Sequence, residues 1–195
     1  MRLCFASNNA HKLEEIRPLL PATVQLVSLA EIGCHEDLPE TQPTLEGNAH
    51  QKAQYVFDNY GVACFADDTG LEVAALGGAP GVYSARYAGP QREAADNVAK
   101  LLHELASQPS RQARFRTVIA LVREGAVAQE FSGEVAGTIA GAPIGREGFG
   151  YDPVFVPDEG DGRTFAEMTL LEKNTLSHRA RAVAGLVEFL KTLEG

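Results

Sequence analysis

From Gln112 to Ile139 the chain alternates with a period of two through almost every position. Ala113, Phe115, Thr117, Ile119 and Leu121 fall on one face, and Arg114, Arg116, Val118, Ala120 and Val122 on the other. After Glu124-Gly125 the run resumes from Ala128 to Ile139. Successive side chains of a strand point to opposite faces, so the pattern predicts two long antiparallel strands in a hairpin. An amphipathic helix precedes them, with Ala95, Val98, Leu101, Leu102 and Leu105 as its apolar stripe, and further helical runs follow. Long strands with return helices predict an α/β fold: a long central mixed β-sheet flanked by helices. At 195 residues one domain, 1–195, is expected, burying roughly 70% of the surface of its unfolded chain.

The other elements read in order. Leu3-Cys4-Phe5-Ala6 is a buried strand that runs into Ser7-Asn8-Asn9-Ala10-His11-Lys12; Leu13, Ile16 and Leu20 then fall at helical spacing, with Pro18 kinking or ending that helix. Ser7 or Asn8 serves as an ordinary helix cap or as part of an anion site with Lys12. Val24 to Leu29 is a second strand, leading to an acidic segment with Glu36, Asp37, Glu40 and Pro43. A helix starts at Glu46 or Asn48, carries Ala49, Ala53, Val56, Phe57 and Tyr60 on one face, and stops at Gly61.

Val62-Ala63-Cys64-Phe65 is short and β-prone, and Ala66-Asp67-Asp68-Thr69-Gly70-Leu71 follows it. Two carboxylates are expected where this strand ends, on a turn for which Gly70 supplies the backbone freedom. In open α/β sheets ligands bind at such strand ends, so the stretch reads equally as a turn and as a site. Later, a glycine-rich loop from Gly141 to Gly150 delivers Phe149-Gly150-Tyr151-Asp152-Pro153 onto the short strand Val154-Phe155-Val156. Thr169-Leu170-Leu171-Glu172 is a capping box opening a short helix that carries Lys173. Ser177 caps the last helix, whose stripe is Ala180, Val183, Val187 and Leu190. His178 and Arg179 then sit in its first turn, where cations oppose the macrodipole and call for an anionic or carbonyl-bearing ligand.

A net charge of −9 and no basic run exclude an electrostatic grip on long nucleic acid. Cys4, Cys34 and Cys64 have no paired spacing, which argues against a zinc site or a disulfide framework and suits a reducing compartment. No apolar run reaches the roughly 18 residues of a membrane span, so a cytoplasmic protein is expected. Carboxylates (Glu40, Asp67, Asp68), cations (Lys12, Lys173, Arg179), one exposed aromatic between glycines (Phe149) and the polar groups of Ser7, Asn8 and Thr69 together suit a nucleoside polyphosphate with magnesium. Asp68-Thr69-Gly70 is also the tripeptide of aspartic proteases, which need a second such aspartate that this chain lacks. A nucleotide-sensing module without turnover is the non-enzymatic alternative.

With Asn48-Ala49, Gly78 to Tyr87, Ala166-Glu167-Met168 and Glu172-Lys173-Asn174 added to these stretches, in order along the chain, the sequence resembles the inosine triphosphate pyrophosphatases, also called Ham1-like non-canonical purine nucleoside triphosphate pyrophosphatases. The resemblance implies magnesium-dependent (Mg2+) hydrolysis of ITP, dITP or XTP to the monophosphate and pyrophosphate, in a cleft between two lobes on a long central sheet, by a homodimer. It further implies that Ser7, Asn8, Asn9, Ala10, His11 and Lys12 bind the triphosphate. Glu40 and Asp68 would belong to the metal site, with Asp68 as proton acceptor. Thr69 would contact substrate, and Phe149, Gly150, Tyr151, Asp152, Lys173, His178 and Arg179 would surround base and sugar. One departure stands out: an acidic residue is usual directly before Asn48, and here that position is Gly47, with Glu46 one place earlier.

Overall fold

Leu3, Cys4 and Phe5 are fully buried, and their run forms strand β1 (Arg2–Phe5) in the computed structural model, which describes residues 1–193. Helix α1 (Ala10–Ile16) follows; its cap is Asn9, whose side chain accepts from the Lys12 amide, one place later than the sequence suggests. Pro18 ends this helix: α1 stops at Ile16 and a single 3-10 turn, Arg17–Leu19, replaces it. Strand β2 (Gln25–Val27) is shorter than the apolar run because Leu29 already caps the next 3-10 turn. Helix α2 (Leu45–Tyr60) is capped by the Thr44 hydroxyl and closed by Gly61, which is left-handed at φ 63°.

Strand β3 (Cys64–Val73) differs from expectation. It runs unbroken through Asp67, Asp68, Thr69 and Gly70, so there is no turn at the paired aspartates. A turn would be needed only to bring the two carboxylates to water, and both are buried against cations instead. Gly70 has another purpose. A Cβ there would stand 2.7 Å from the Gly81 carbonyl oxygen, where β4 (Pro80–Gly81) pairs antiparallel with β3. The residue permits close approach of two backbones.

Helix α3 (Ala94–Glu104), strands β5 (Gln112–Val122), β6 (Gln129–Ile139) and β7 (Phe155–Pro157), and helices α4 (Leu170–Asn174) and α5 (His178–Thr192) complete the chain. The period-two runs become the eleven-residue strands β5 and β6, and the Thr169–Glu172 capping box opens α4 as read. The sheet order is β2-β1-β3-β5-β6-β7, with β4 on β3. Pairs β1–β2 and β1–β3 are parallel and β6–β7 is antiparallel, so the sheet is mixed, as expected.

The chain forms two compact units and passes between them within β3, β5 and β6 and in the first turn of α5. The first comprises Met1–Asp68, Thr117–Gly133 and the chain from Arg179 onward; the second, Thr69–Arg116 and Glu134–His178. The core of the first gathers Leu3, Phe5, Ile16, Phe65, Ile119 and Leu186, with Phe5 stacked on Phe65 at 4.9 Å. That of the second gathers Leu71, Leu101, Phe115, Val135, Phe155 and Phe165. The stripe of α5 is not the expected one. Arg179, Ala182, Val183, Leu186 and Leu190 are buried, whereas Ala180 and Val187 are half-buried. All three cysteines are buried free thiols. Among the described residues no helix is long and apolar enough to cross a membrane.

Candidate functional site

In the first unit the charged residues converge on the adjacent aspartates of β3. Asp67 is fully buried and uses both oxygens: Lys12 Nζ donates to Oδ1 at 2.9 Å and Arg179 Nε to Oδ2 at 3.2 Å. Burial alone would raise its pKa, but Lys12, Arg179 and Lys52 outweigh it and hold the carboxyl well below its ordinary value. Burial pushes the Lys12 ammonium down, with Asp67 opposing. Arg179 donates from Nη1 to Glu15 as well, and its side chain is 2% exposed. The carboxylates of Glu15 and Asp67 thus account for a cation at the start of α5, where the sequence called for a ligand.

Asp68 has a different environment. Asn48 Nδ2 donates to its Oδ2 at 3.1 Å, and Lys52 Nζ stands 3.6 Å from Oδ1. Burial raises its pKa, and Lys52, Lys12 and Asn48 only partly offset this. The two neighbours are therefore electrostatically distinct: cations favour the charged form of Asp67, and burial favours the protonated form of Asp68. Lys52, itself buried, donates to Glu40 Oε1 at 2.7 Å and to the Asp67 carbonyl at 2.8 Å.

Glu40 reaches Lys52 on a segment strapped across the start of α2. The Gln42 amide donates to Asn48 Oδ1 at 2.9 Å, and Thr41 exchanges hydrogen bonds with Gln51 at 3.0 and 2.9 Å. A Cβ at position 47 would lie 2.6 Å from Gln42 Cβ, so glycine makes room for the strap. An acidic side chain at 47 and this course of the strap exclude each other.

Ser7, Asn8, Asn9, Ala10 and His11 lie beside Lys12 at the junction of β1 and α1. The Asn9 amide donates to Ser7 Oγ at 3.2 Å, and Asn8, Ala10 and His11 are exposed. Lys52, Asn48 and Glu15 are outside the sequence-derived candidates. Their signal is a charged or polar residue on a buried stripe: Lys52 follows Asn48 and Ala49 and precedes Ala53 and Val56, all on the buried face of α2.

In the second unit Asp152, 2% exposed, is the hub. Its Oδ2 accepts from Lys173 Nζ at 2.5 Å and from the Phe149 amide at 2.8 Å. Lys173 Nζ is 5.3 Å from the Phe149 ring centroid, within cation–π range. Phe149 is half-buried rather than standing clear. Gly150 is left-handed at φ 63°. Tyr151 is buried, and its hydroxyl donates to the Ser84 carbonyl at 2.9 Å. His178 is buried, stacked on Phe115 at 4.5 Å. Thr69, the first residue of this unit, is half-buried. Gly148 fixes the hub: at φ 70° it is left-handed, and a Cβ would meet Asp152 Oδ2 at 2.1 Å. Gly148→Ala is expected to cost about 1–3 kcal/mol, typical of local backbone strain, read as a melting temperature lower by roughly 2–12 °C. A groove of about 420 Å³ in the same unit, lined by Glu72, Gln112, Arg114 and Asp158 among others, contains none of the candidate residues.

A mixed sheet flanked by helices, with cations gathered on adjacent carboxylates of a central strand, defines an α/β protein with a charged centre. The family model described as the Ham1 family matches residues 3–189, and the chain belongs to that family. It is 57% identical over 190 residues, 97% of each chain, to a dITP/XTP pyrophosphatase of Porphyromonas gingivalis. It is 52% identical over 191 residues to that of Flavobacterium psychrophilum, covering 98% of this chain and 100% of the relative. The Staphylococcus aureus Ham1 protein has the same fold, with a TM-score of 0.89 at 35% identity, covering 98% of this chain and 99% of that one.

Proposed function

We propose that this protein hydrolyses dITP, ITP and XTP to the monophosphate and pyrophosphate and so cleanses the nucleotide pool. The observation that carries the reading is the unequal pair on β3, in a chain this close to relatives named for that activity: Asp67 held as an anion by Lys12 and Arg179, and Asp68 beside it with a raised pKa.

Attack of water on the α-phosphorus requires a base, charge neutralisation and in-line positioning. Asp68 accepts the proton from water. Lys12 neutralises charge on the triphosphate, with the backbone and polar groups of Ser7 to His11 around it. Glu40 and Asp68 would hold magnesium. They suit it, because the ion is usually bound by one or two carboxylates together with substrate phosphates. Among the described residues there is no group of three or more His, Cys, Asp or Glu side chains that could hold a metal by themselves. When bound, magnesium supplies positive charge to the phosphate oxygens. Lys52 keeps the two carboxylates together.

In the second unit Phe149 stacks on the purine, its loop anchored by Asp152 and Lys173, with Thr69, Gly150, Tyr151 and His178 shaping the pocket for base and sugar. Hypoxanthine and xanthine present a 6-oxo acceptor and an N1–H donor where adenine presents the reverse. A site that hydrogen-bonds this edge rejects adenine by roughly 10⁴-fold or more. Arg179 is buried against Glu15 and Asp67, so this readout falls to backbone groups rather than to its guanidinium. The enzyme acts as a homodimer in the cytoplasm, on this reading.

Pyrophosphate release from ITP, XTP, dGTP and ATP, with and without magnesium, tests the proposal. Turnover of ITP and XTP only with magnesium, and little of ATP, is expected. Tight binding of ITP without release of pyrophosphate would establish a sensor instead.

A further inference from the structure

The loop from Gly141 to Gly150 holds four glycines, and its residues 141–148 are exposed. A segment of this kind has no core of its own and is ordinarily mobile. Here the backbone is fastened along its length. At the start, where β6 ends, the Arg111 guanidinium donates from Nε to the Ile139 carbonyl and from Nη2 to that of Ala140, both at 2.7 Å. In the middle, Thr164 Oγ1 donates to the Ile144 carbonyl at 2.8 Å, and the amides of Arg146 and Glu147 converge on the Ala166 carbonyl, each at 2.9 Å. At the far end Asp152 accepts from the Phe149 amide.

The middle anchor stands on the core. Thr164 is 1% exposed, and its own amide donates to Glu167 Oε2 at 2.8 Å across the 3-10 turn Phe165–Glu167. Phe165 is buried with Phe115 and Phe155, which makes this turn a rigid support. The loop lies on it backbone to backbone: a Cβ at Gly145, left-handed at φ 89°, would stand 2.2 Å from the Ala166 carbonyl oxygen. Because the side chains of residues 141–148 are exposed, these contacts do not serve packing. They fix the course of the backbone that leads to Phe149.

We propose that Thr164 and Arg111 are positioning residues for the Phe149 ring, holding the loop, and so the ring, in place before a purine arrives. This rests on the reading of Phe149 as the ring that stacks on the purine. A loop ordered in advance spares the ligand the cost of ordering it. Loosening the loop should therefore weaken the grip on the base and leave the phosphate end of the site as it was.

The test compares kcat and KM for ITP, with magnesium, against product inhibition by pyrophosphate, which carries phosphates but no base. The variant is Thr164→Val, close in shape but without the hydroxyl donor, measured alone and together with Phe149→Ala at a temperature where melting curves show each protein folded. Loss of one net hydrogen bond is worth about two- to tenfold in an equilibrium. Thr164→Val is accordingly expected to raise KM for ITP about fivefold with kcat nearly unchanged, because stacking holds bound substrate and transition state alike. The inhibition constant of pyrophosphate should not move. In the Phe149→Ala background the effect of Thr164→Val on KM should fall below about twofold, since coupled residues are non-additive. An unchanged KM, an equal rise in both backgrounds, or a parallel loss of pyrophosphate inhibition would overturn the positioning role and leave Thr164 as a residue of the fold. Phe149→Ala with wild-type KM would overturn the reading of Phe149 itself, a separate result. If Thr164→Val does not fold, Arg111→Met, at the other end of the loop, takes its place with the same expected and overturning outcomes.

Discussion

Asp68→Asn is expected to abolish nearly all turnover of ITP while leaving the fold intact. Removing a positioned general base costs roughly 10²–10⁴-fold in rate, and the loss should appear in kcat, because the groups assigned to the triphosphate remain. Retention of the fold follows from the geometry. An asparagine can present its carbonyl oxygen to Asn48 Nδ2, and Lys52 keeps Glu40 at 2.7 Å and the Asp67 carbonyl at 2.8 Å. The sign of the stability change follows from the raised pKa of Asp68. Above its ordinary value the folded state binds the extra proton more tightly than the unfolded chain does, so stability falls as pH rises through that interval. At neutral pH the ionised Asp68 is therefore a cost, and asparagine relieves it. Calorimetry should give a melting temperature equal to or above that of the wild type, the usual relation between a catalytic group and stability. Wild-type turnover would remove Asp68 from the chemistry. A lower melting temperature would show that the carboxylate is structural.

Sequence signals worked where their cause is local and failed where it lies far along the chain. Pro18, Gly61 and the Thr169–Glu172 capping box act on their own neighbours, and each element ends or begins where they predict. At the aspartates of β3 the turn propensity of Asp and Gly predicts a turn, and the structure has an unbroken strand. Their partners lie elsewhere: Lys12 is 55 residues away from Asp67, and Arg179 is 112 residues away. Arg179 likewise stood out as a cation at the wrong end of a helix, and its explanation is Glu15, 164 residues earlier. Reading the stripe of α5 by hydropathy alone displaced it, because the buried face starts with a charged residue. Gly47 gave a similar lesson. Its consequence depends on where the chain around Gln42 runs, which no local pattern encodes. Lys52 was legible in principle, since a lysine within a buried stripe of alanine and valine needs a counter-charge.

Arg179→Met should produce a large loss of stability. Removing one partner of a buried ion pair typically costs about 3–5 kcal/mol, because a charge is left without compensation. Here one substitution takes the guanidinium from both Glu15 and Asp67. At roughly 2–4 °C per kcal/mol for a chain of this size, the melting temperature should fall by about 6–20 °C. The loss should also depend on pH. The wild type is stabilised by the depressed pKa of Asp67, a contribution fully present above the unfolded value of about 4 and lost as pH falls through the folded one. In the variant Asp67 keeps Lys12, but Asp67 and Glu15 have each lost the guanidinium and take up a proton more readily, so acid relieves them. The gap in melting temperature should therefore narrow from pH 7 to pH 4. Adding Glu15→Leu should recover much of the stability, since one of the two carboxylates that lost the guanidinium is then gone. A gap that is constant with pH, together with no recovery in the double variant, would mean that the cost comes from lost packing of the long Arg179 side chain and not from its charge.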